Sequence, residues 1–458
     1  MNRRKLLEAF GGTTLASYLA PQAFAGQAEP TSASAGWQNW SKSLPASSAP
    51  VHTPRDMAEL KKIITQAKGP VRPVGAGHSW MPLVPSDHAI LKLDHFNAIG
   101  DIDSKAQTAW LGAGARLHDL SPQLAEAGLA FRNLGDIDVQ TLGGSTSTAT
   151  HGTGQSLSCL SAEILGLRLV TGEGENMEIS DSTHSDMLLG ARVGLGSLGV
   201  ITELKMQLVA RHKLRRRVWF MPHEAVLSQA RALWDENRNF EFLYIPFSGI
   251  SMCISHNETQ EQETPRATDE SDDGVMQLKA LRDYMSWFPA LRKRLLAWAI
   301  SGAPEENVIG ESWRLLSSAR NTLFNEMEYH LPVEDGLKAL EEVRHYIETQ
   351  RPDVFFPFEA RMTQADTNWL SPFQDGPRLS VAVHCYHEDD YQFLFSDIEP
   401  IFRKYGGRPH WGKLNSLQAE DFAALYPQWE NFKQMRQRLD PKERMLNPYL
   451  SRLFGAKS

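Results

Sequence analysis

The sequence predicts an α+β protein built from two domains, and three observations carry that prediction. At 458 residues the chain exceeds what one simple core usually takes. Short strand-like runs and amphipathic helical runs alternate along its whole length. No G-x-G-x-x-G run opens a helix, so the ordinary dinucleotide fold, and with it a nicotinamide dehydrogenase, is disfavoured.

The elements follow in order from local chemistry. A strand reaches Val51, a helix runs from about Pro54 to Ala67 with the proline near its start, and "VRPV" (71–74) is a strand feeding a glycine loop. Strands are expected at "AILKLDHF" (89–96) and "AQTAWLGAG" (106–114), and a helix over Leu117–Ala127 that stops at Gly128. "SAEILGLRLVTGEGENMEIS" (161–180) reads as two strands joined by the turn "TGEGE", and "LGVITELKMQLV" (198–209) as another strand. From Arg211 to Val218 the chain is basic and strand-like, and a helix between Pro222 and Asn237 leads into a further strand. Residues 257–274 are acidic and poor in aliphatic side chains, which marks a solvated loop. A helical stretch over 278–300 carries Trp287, Phe288, Leu291, Leu295, Leu296 and Trp298 as an apolar set, read as core or a docking face. A helix over Val333–Thr349, strands "FFPFEARMT" (355–363) and "RLSVAVHCYH" (378–387), and a helix near Asp389–Tyr405 complete the series. No internal repeat is visible.

Composition narrows the function classes. Charged residues make up 22% and apolar residues 41%, as in ordinary globular proteins, and the net charge of -8 comes from 55 acidic and 47 basic residues. With no basic tract in the body of the chain, a nucleic-acid partner is disfavoured. Cys159, Cys253 and Cys385 are too few and too far apart for a disulfide framework or a cysteine metal cluster. Residues 1–25 read as an export signal: a basic start, an apolar stretch from Leu6 to Ala20, and small residues at Ala23 and Ala25 around a cleavage site. The paired Arg3 and Arg4 point to the twin-arginine route, which carries folded cargo and therefore suits a protein that takes up its cofactor before export to the periplasm or beyond. Residues 26–50, rich in Ser, Ala and Pro, form a leader, and the rest of the chain has no apolar run of membrane-spanning length.

Four stretches go beyond the generic. "RPVGAGHSW" (72–80) sets His78 among glycine and alanine directly after a strand, where main chain can approach a charged ligand closely. "DIDVQTLGGSTSTATHGTG" (136–154) intersperses glycines with small hydroxyls, a composition that can wrap a pyrophosphate. "GARVGLGSLGVITEL" (190–204) offers a second close-approach run, and "GGRPHWGKLNSL" (406–417) packs His410, Trp411 and Lys413 between glycines. Each has a bland alternative as a plain turn.

Together with "LFNEMEYHLP" (323–332) and "LNPYLSRLFG" (446–455), and in this order, these stretches resemble the flavoproteins of the vanillyl-alcohol oxidase type, within them the aldonolactone oxidase and alditol oxidase branch. The resemblance spans nearly all of the chain after the leader. It implies a two-domain FAD-binding fold with an α/β substrate (cap) domain: an FAD domain over 51–210, a cap over 211–420, and a segment 421–458 that returns to the FAD domain. It also implies that FAD is contacted by Arg72, Val74, Gly75, Ala76, Gly77, His78 and Ser79, by Thr141, Gly143, Gly144, Ser145, Thr148, His151, Gly152 and Gly154, by Gly199, Val200 and Ile201, and by Lys413. By match within the motif, His78 is the residue expected to bond the flavin covalently through the methyl carbon of its ring.

The activity so implied is oxidation of a CH–OH group, the flavin accepting the hydride. Glu359 and Arg361 alternate with Ala360 on the expected strand and so share a face. The resemblance places these two, His384 and Lys413 at the catalytic site, and Thr141 where the branch keeps a substrate-contacting serine. A carboxylate and a guanidinium on one face suit a polyhydroxylated ligand, a sugar lactone or sugar alcohol. The blander readings are a surface ion pair for Glu359 and Arg361, a loop lysine for Lys413 and a satisfied core histidine for His384. A less polar alcohol oxidised with a quinone or cytochrome as acceptor, and a non-catalytic exported flavoprotein, stand as alternatives. The acceptor, oxygen or an exported redox partner, and the oligomeric state leave no motif. No metal is expected, since His384 and His387 sit an odd number of positions apart on a strand.

Overall fold

The computed structural model of the chain describes residues 36–265, 271–285, 293, 294, 296, 300, 305–318 and 322–455. The export signal lies outside the described residues, as do Trp287, Phe288, Leu291, Leu295 and Trp298; Leu296 of that set is buried.

The amino-terminal part stacks two sheets. Strands β1 (Val51–His52), β2 (Val71–Val74) and β3 (Ala89–Lys92) form a parallel sheet in the order β1-β3-β2. Helix α1 (Met57–Gln66) crosses between β1 and β2; Asp56 caps it by accepting from the Glu59 amide at 2.8 Å, and Leu60 and Ile64 are its buried stripe. Strands β4 (Ile99–Asp103), β5 (Thr108–Gly112), β7 (Ile164–Val170), β8 (Asn176–Ser180) and β9 (Val200–Gln207) form an antiparallel sheet in the order β4-β5-β9-β7-β8. A short ribbon pairs β6 (Leu129–Ala130) with β10 (Val209–Ala210). Helix α2 (Leu117–Glu126) buries Leu117, Leu120 and Leu124, and the six-residue α3 (Leu142–Ser147) starts within the glycine-rich segment.

The second part is one eight-stranded antiparallel sheet, β14-β11-β13-β12-β16-β17-β15-β18. Its strands are β11 (Lys213–Pro222), β12 (Asn239–Ile245), β13 (Ile250–Thr259), β14 (Glu306–Glu311), β15 (Phe324–Pro332), β16 (Phe358–Thr363), β17 (Arg378–Tyr386) and β18 (Arg408–Pro409). Six of them form two units of the same connection, strand, helix, strand, strand. One is β11, α4 (His223–Glu236), β12, β13; the other is β15, α5 (Val333–Gln350), β16, β17. The units meet at β12 and β16, so the sheet order mirrors about that seam. The repeat absent from the sequence is therefore present in the topology. Its one local trace is a proline before each helix, Pro222 and Pro332.

The acidic stretch 257–274 is less of a loop than expected: β13 continues to Thr259 and a helix starts at Ser271. One face of the large sheet is apolar and covered by helix. Leu379 packs on Gly336 of α5, where an added Cβ would lie 2.6 Å from the leucine Cβ, and Leu340, Val343 and Ile347 of that helix are fully buried. Each such side chain contributes about 1.5–3 kcal/mol by leaving water. The opposite face is polar and looks toward the amino-terminal part.

The carboxyl-terminal helices α6 (Trp429–Leu439) and α7 (Pro448–Phe454) pack back on the amino-terminal part. The Val71 amide donates to the Arg444 carbonyl at 2.8 Å, and Asn447 donates to the carbonyls of Pro82 and Pro85, each at 2.8 Å.

Candidate active site

A glycine-lined cleft opens at the end of β2. It encloses about 940 Å³, part of it continuous with solvent, and the 74–79 loop, Gly143, Gly144, Thr148, Gly199 and Ile201 line it. Glycine is required here at particular points. A Cβ on Gly75 would lie 2.3 Å from the Thr141 hydroxyl, and one on Gly143 would lie 3.1 Å from the Ala113 carbonyl. Gly77 holds φ at +74°, the left-handed region that other residues avoid. The amides of Ala76, Gly77, His78 and Ser79 have no backbone partner among the described residues. Consecutive unpartnered amides beside small hydroxyls are the donor set an anionic pyrophosphate needs, so the residues present fit FAD.

A second cavity of about 740 Å³ lies against the polar face of the large sheet and meets the first at His78, Ser79, Gln140 and Thr148. Strand register builds its wall, because residues directly opposite in an antiparallel pair point to the same side. Glu328 and Glu359 both pair with Ala382 of β17, Glu326 pairs with His384, and Arg361 pairs with Glu241 on one side and Ser380 on the other. Ala382, being small, leaves room between the two glutamates it separates.

The structure thus brings Glu359, Arg361, His384 and Lys413 into one cavity. The Arg361 guanidinium binds Asp136 and Glu359 and sits 2.9 Å from Glu241, close enough for an ion pair although that N–H does not point at the oxygen. Lys413 binds Glu326 and lies 4.5 Å over the Trp80 ring. His384 packs edge-on against Phe324, with Nδ1 3.2 Å from the Pro357 carbonyl and Nε2 3.7 Å from Glu326. The surface-pair reading of Glu359 and Arg361 fails on burial, at 5% and 8% exposure.

Electrostatics separate the groups. Burial raises Glu241, the neighbouring Asp136 carboxylate raises it further, and its carboxyl is pushed up to about 8 despite Arg361. Burial alone would also raise Glu328, but His151, hydrogen-bonded to it at 2.9 Å, holds it well below the usual carboxylate range. Burial, with the nearby cations Lys413 and Arg116, pushes the His78 imidazole down to about 3; its ring stacks on Trp40 at 4.7 Å. His410 is likewise pushed down to about 3, mainly by burial.

Of the residues expected at the cofactor, Arg72 and Thr141 line the glycine cleft, whereas Ser145, His151, Gly152, Gly154, Val200 and Lys413 do not. Arg72 borders the cleft, but its guanidinium is spent on the carbonyls of Leu83, Leu195, Gly196 and Met445. Ser145 is fully buried inside α3 and donates to the Leu142 carbonyl. Gly152 packs on backbone, a Cβ there lying 2.2 Å from the Leu134 carbonyl, and Val200 is buried in β9 opposite Val170. Gly154 joins the two parts, its amide donating to Met362 at 2.7 Å beside β16. His151 lines the second cavity, with Nε2 2.9 Å from Glu328 and Nδ1 2.8 Å from the Gly152 carbonyl. Thr141 borders the glycine cleft and not the second cavity, because its hydroxyl caps α3 by accepting from the Gly144 amide at 3.2 Å. The sequence assigns no site role to Asp136, Gln140, Glu241, Glu326 or Glu328, and marks His410 only within its glycine-bounded stretch. Glu326 and Glu328 alternate along "NEMEY", a signal of one shared face that was available.

Cleft and cavity, joined at His78, Ser79, Gln140 and Thr148, define an FAD-dependent oxidoreductase of the vanillyl-alcohol oxidase fold. Residues 48–180 match an FAD binding domain family, and residues 204–453 match the D-arabinono-1,4-lactone oxidase family. The chain belongs to the D-arabinono-1,4-lactone oxidase family. It is 33% identical to the L-gulono-1,4-lactone dehydrogenase of Mycobacterium tuberculosis over 92% of this chain and 99% of that one. It is 28% identical to the L-gulonolactone oxidase of Mus musculus (91% and 98%) and 26% identical to an alditol oxidase of Streptomyces sp. (91% and 98%). Among solved structures, cholesterol oxidase from B. sterolicum superposes with a TM-score of 0.78 at 16% identity over 94% of this chain and 100% of that one, a likeness of fold.

Proposed function

We propose that the protein oxidises a CH–OH group of a polyhydroxylated substrate, an aldonolactone first and an alditol second, in the cavity beside His78. The observation that carries this reading is the ring of charged groups, Glu359, Arg361, Glu326 and Lys413, on the wall of a cavity that meets the glycine cleft. Vicinal hydroxyls both donate and accept, and this wall offers carboxylate oxygens and guanidinium and ammonium N–H groups together. These groups already pair with one another, Arg361 with Glu359 and Lys413 with Glu326, and an apolar alcohol would cover their remaining donor and acceptor capacity without supplying the hydrogen bonds that a polyol supplies. The names of the relatives, lactone dehydrogenase, lactone oxidase and alditol oxidase, support the same class.

FAD bound in the cleft supplies the hydride acceptor. Glu359 takes the hydroxyl proton, and Arg361 orients that carboxylate. Lys413, fixed between Glu326 and Trp80 and near enough to lower the basicity of His78, supplies positive charge where negative charge develops. His78 would hold the flavin covalently through the ring's methyl carbon, its neutral imidazole nitrogen supplying the nucleophile such a bond needs. Export through the twin-arginine route, directed by Arg3 and Arg4, completes the reading. The test is anaerobic mixing of the purified yellow protein with aldonolactones and alditols, which should bleach the flavin. Reduced protein mixed with oxygen and, separately, with a quinone then assigns the acceptor.

A further inference from the structure

We propose that Glu241, which lies off the substrate cavity, is a proton store for the oxidation, and that the proton leaves through a small cavity behind the active site. The geometry is a wall with two faces. Asp136 and Glu359 line the substrate cavity and also a third cavity of about 290 Å³ on its far side; Glu241 lines only the third. Carboxylate oxygens of all three lie within 4.8 Å of one another around the single guanidinium of Arg361. The three carboxylates share the buried Arg361 guanidinium, and the second cation facing Glu241, Arg216, is itself paired with Glu306, so the cluster holds a proton at neutral pH. Glu241, the deepest of them, is where burial and Asp136 favour it. The other groups facing Glu241 are Arg216 of β11 and His256 of β13, which line the third cavity with it. Arg216 is paired in turn with Glu306 of β14, a strand at the sheet's edge, whose side chain is 17% exposed. A polar path therefore runs from Glu359 toward solvent, away from the substrate.

The inference rests on the proposed oxidation, and its balance is simple. Converting CH–OH to C=O breaks one C–H and one O–H bond; the hydride goes to the flavin and the proton to the Glu359 carboxylate. The cluster then carries one proton too many, and Glu241 sheds its own to water in the third cavity. Glu241 acts through Glu359 and is a positioning residue.

In the holoprotein, Glu241→Gln keeps the shape and removes the titration. The anaerobic reduction rate of the wild type should change near pH 8; E241Q should lose that break and reduce roughly tenfold or more slowly. A second readout needs no turnover. A carboxyl raised from 4.5 to about 8 binds a proton in the folded state that the unfolded state lacks between those values. Its stabilisation is complete below about pH 4.5 and is lost as pH rises to about 8. The wild type's unfolding midpoint should carry that decline and E241Q should lack it. If E241Q does not fold, the wild type alone decides: an infrared carboxylic-acid band that titrates near pH 8 supports the store, and its absence overturns it. An E241Q with the wild-type rate, pH profile and stability slope also overturns it. A wild type that no lactone or alditol reduces would instead sink the proposed function, while the infrared band and the stability slope would still decide the store.

Discussion

His78 is the residue on which cofactor and substrate regions turn, since it lines both cavities and stacks on Trp40. Burial pushes its imidazole down to about 3, so at neutral pH a nitrogen lone pair is available to form a bond. Acid-precipitated protein should therefore stay yellow and yield a flavin-bearing peptide that contains His78, whereas His78→Ala should release its flavin on denaturation. Flavin that washes free of the wild type would show that the contact is not covalent. The local motif made this residue legible, because glycine and alanine around a histidine after a strand restrict what the loop can do. Glu241 and Asp136 were illegible for the opposite reason. Each acquires meaning only through Arg361, which is remote from both in sequence, and a lone acidic residue in "NFEFLY" or "GDID" carries no sign of that partner.

At the level of elements, the glycine loop is held by an arginine that the sequence suggested for the cofactor. Arg72, 1% exposed, staples β2 to the 195–196 turn, to Leu83 and to Met445 in the carboxyl-terminal segment. Arg72→Met would strand four carbonyls, and each buried unsatisfied group costs about 1–3 kcal/mol. The expected result is a loss of about 3 kcal/mol or more in chemical denaturation, with weakened retention of FAD. A change below about 0.5 kcal/mol would show that other donors can replace the staple. Periodicity found the helices well: Leu117–Glu126, His223–Glu236 and Val333–Gln350 fall within a residue or two of expectation. It found the hairpin of β7 and β8 through its "TGEGE" turn. It missed β13, β14 and β15 as strands. In β15 the first eight residues are buried, with Glu326, Glu328 and His330 on one face, so the usual alternation of apolar and polar reports a buried polar face as though it were solvent-facing.

For the whole molecule, the sheet's two faces divide the labour: the apolar one packs on helices, and the polar one closes a cavity against the glycine loop. That division follows from long-range pairing of β12, β16, β17 and β15, which no local pattern contains, so the ordered family motifs made the fold legible where periodicity alone gave only a mixture of strands and helices. The proposed twin-arginine export is tested on the full chain. Replacing Arg3 and Arg4 with lysine should retain flavin-loaded precursor in the cytoplasm, and unchanged delivery of mature protein would contradict the twin-arginine route. If the charged wall of the second cavity performs the oxidation, the rate of anaerobic flavin reduction at saturating aldonolactone must depend on it. Lys413→Met and Glu359→Gln should each stay folded and yellow yet reduce more slowly by roughly two to three orders of magnitude, the scale for losing one contact made in the transition state. Near-native rates in both variants would contradict the claim and remove these residues from the chemistry.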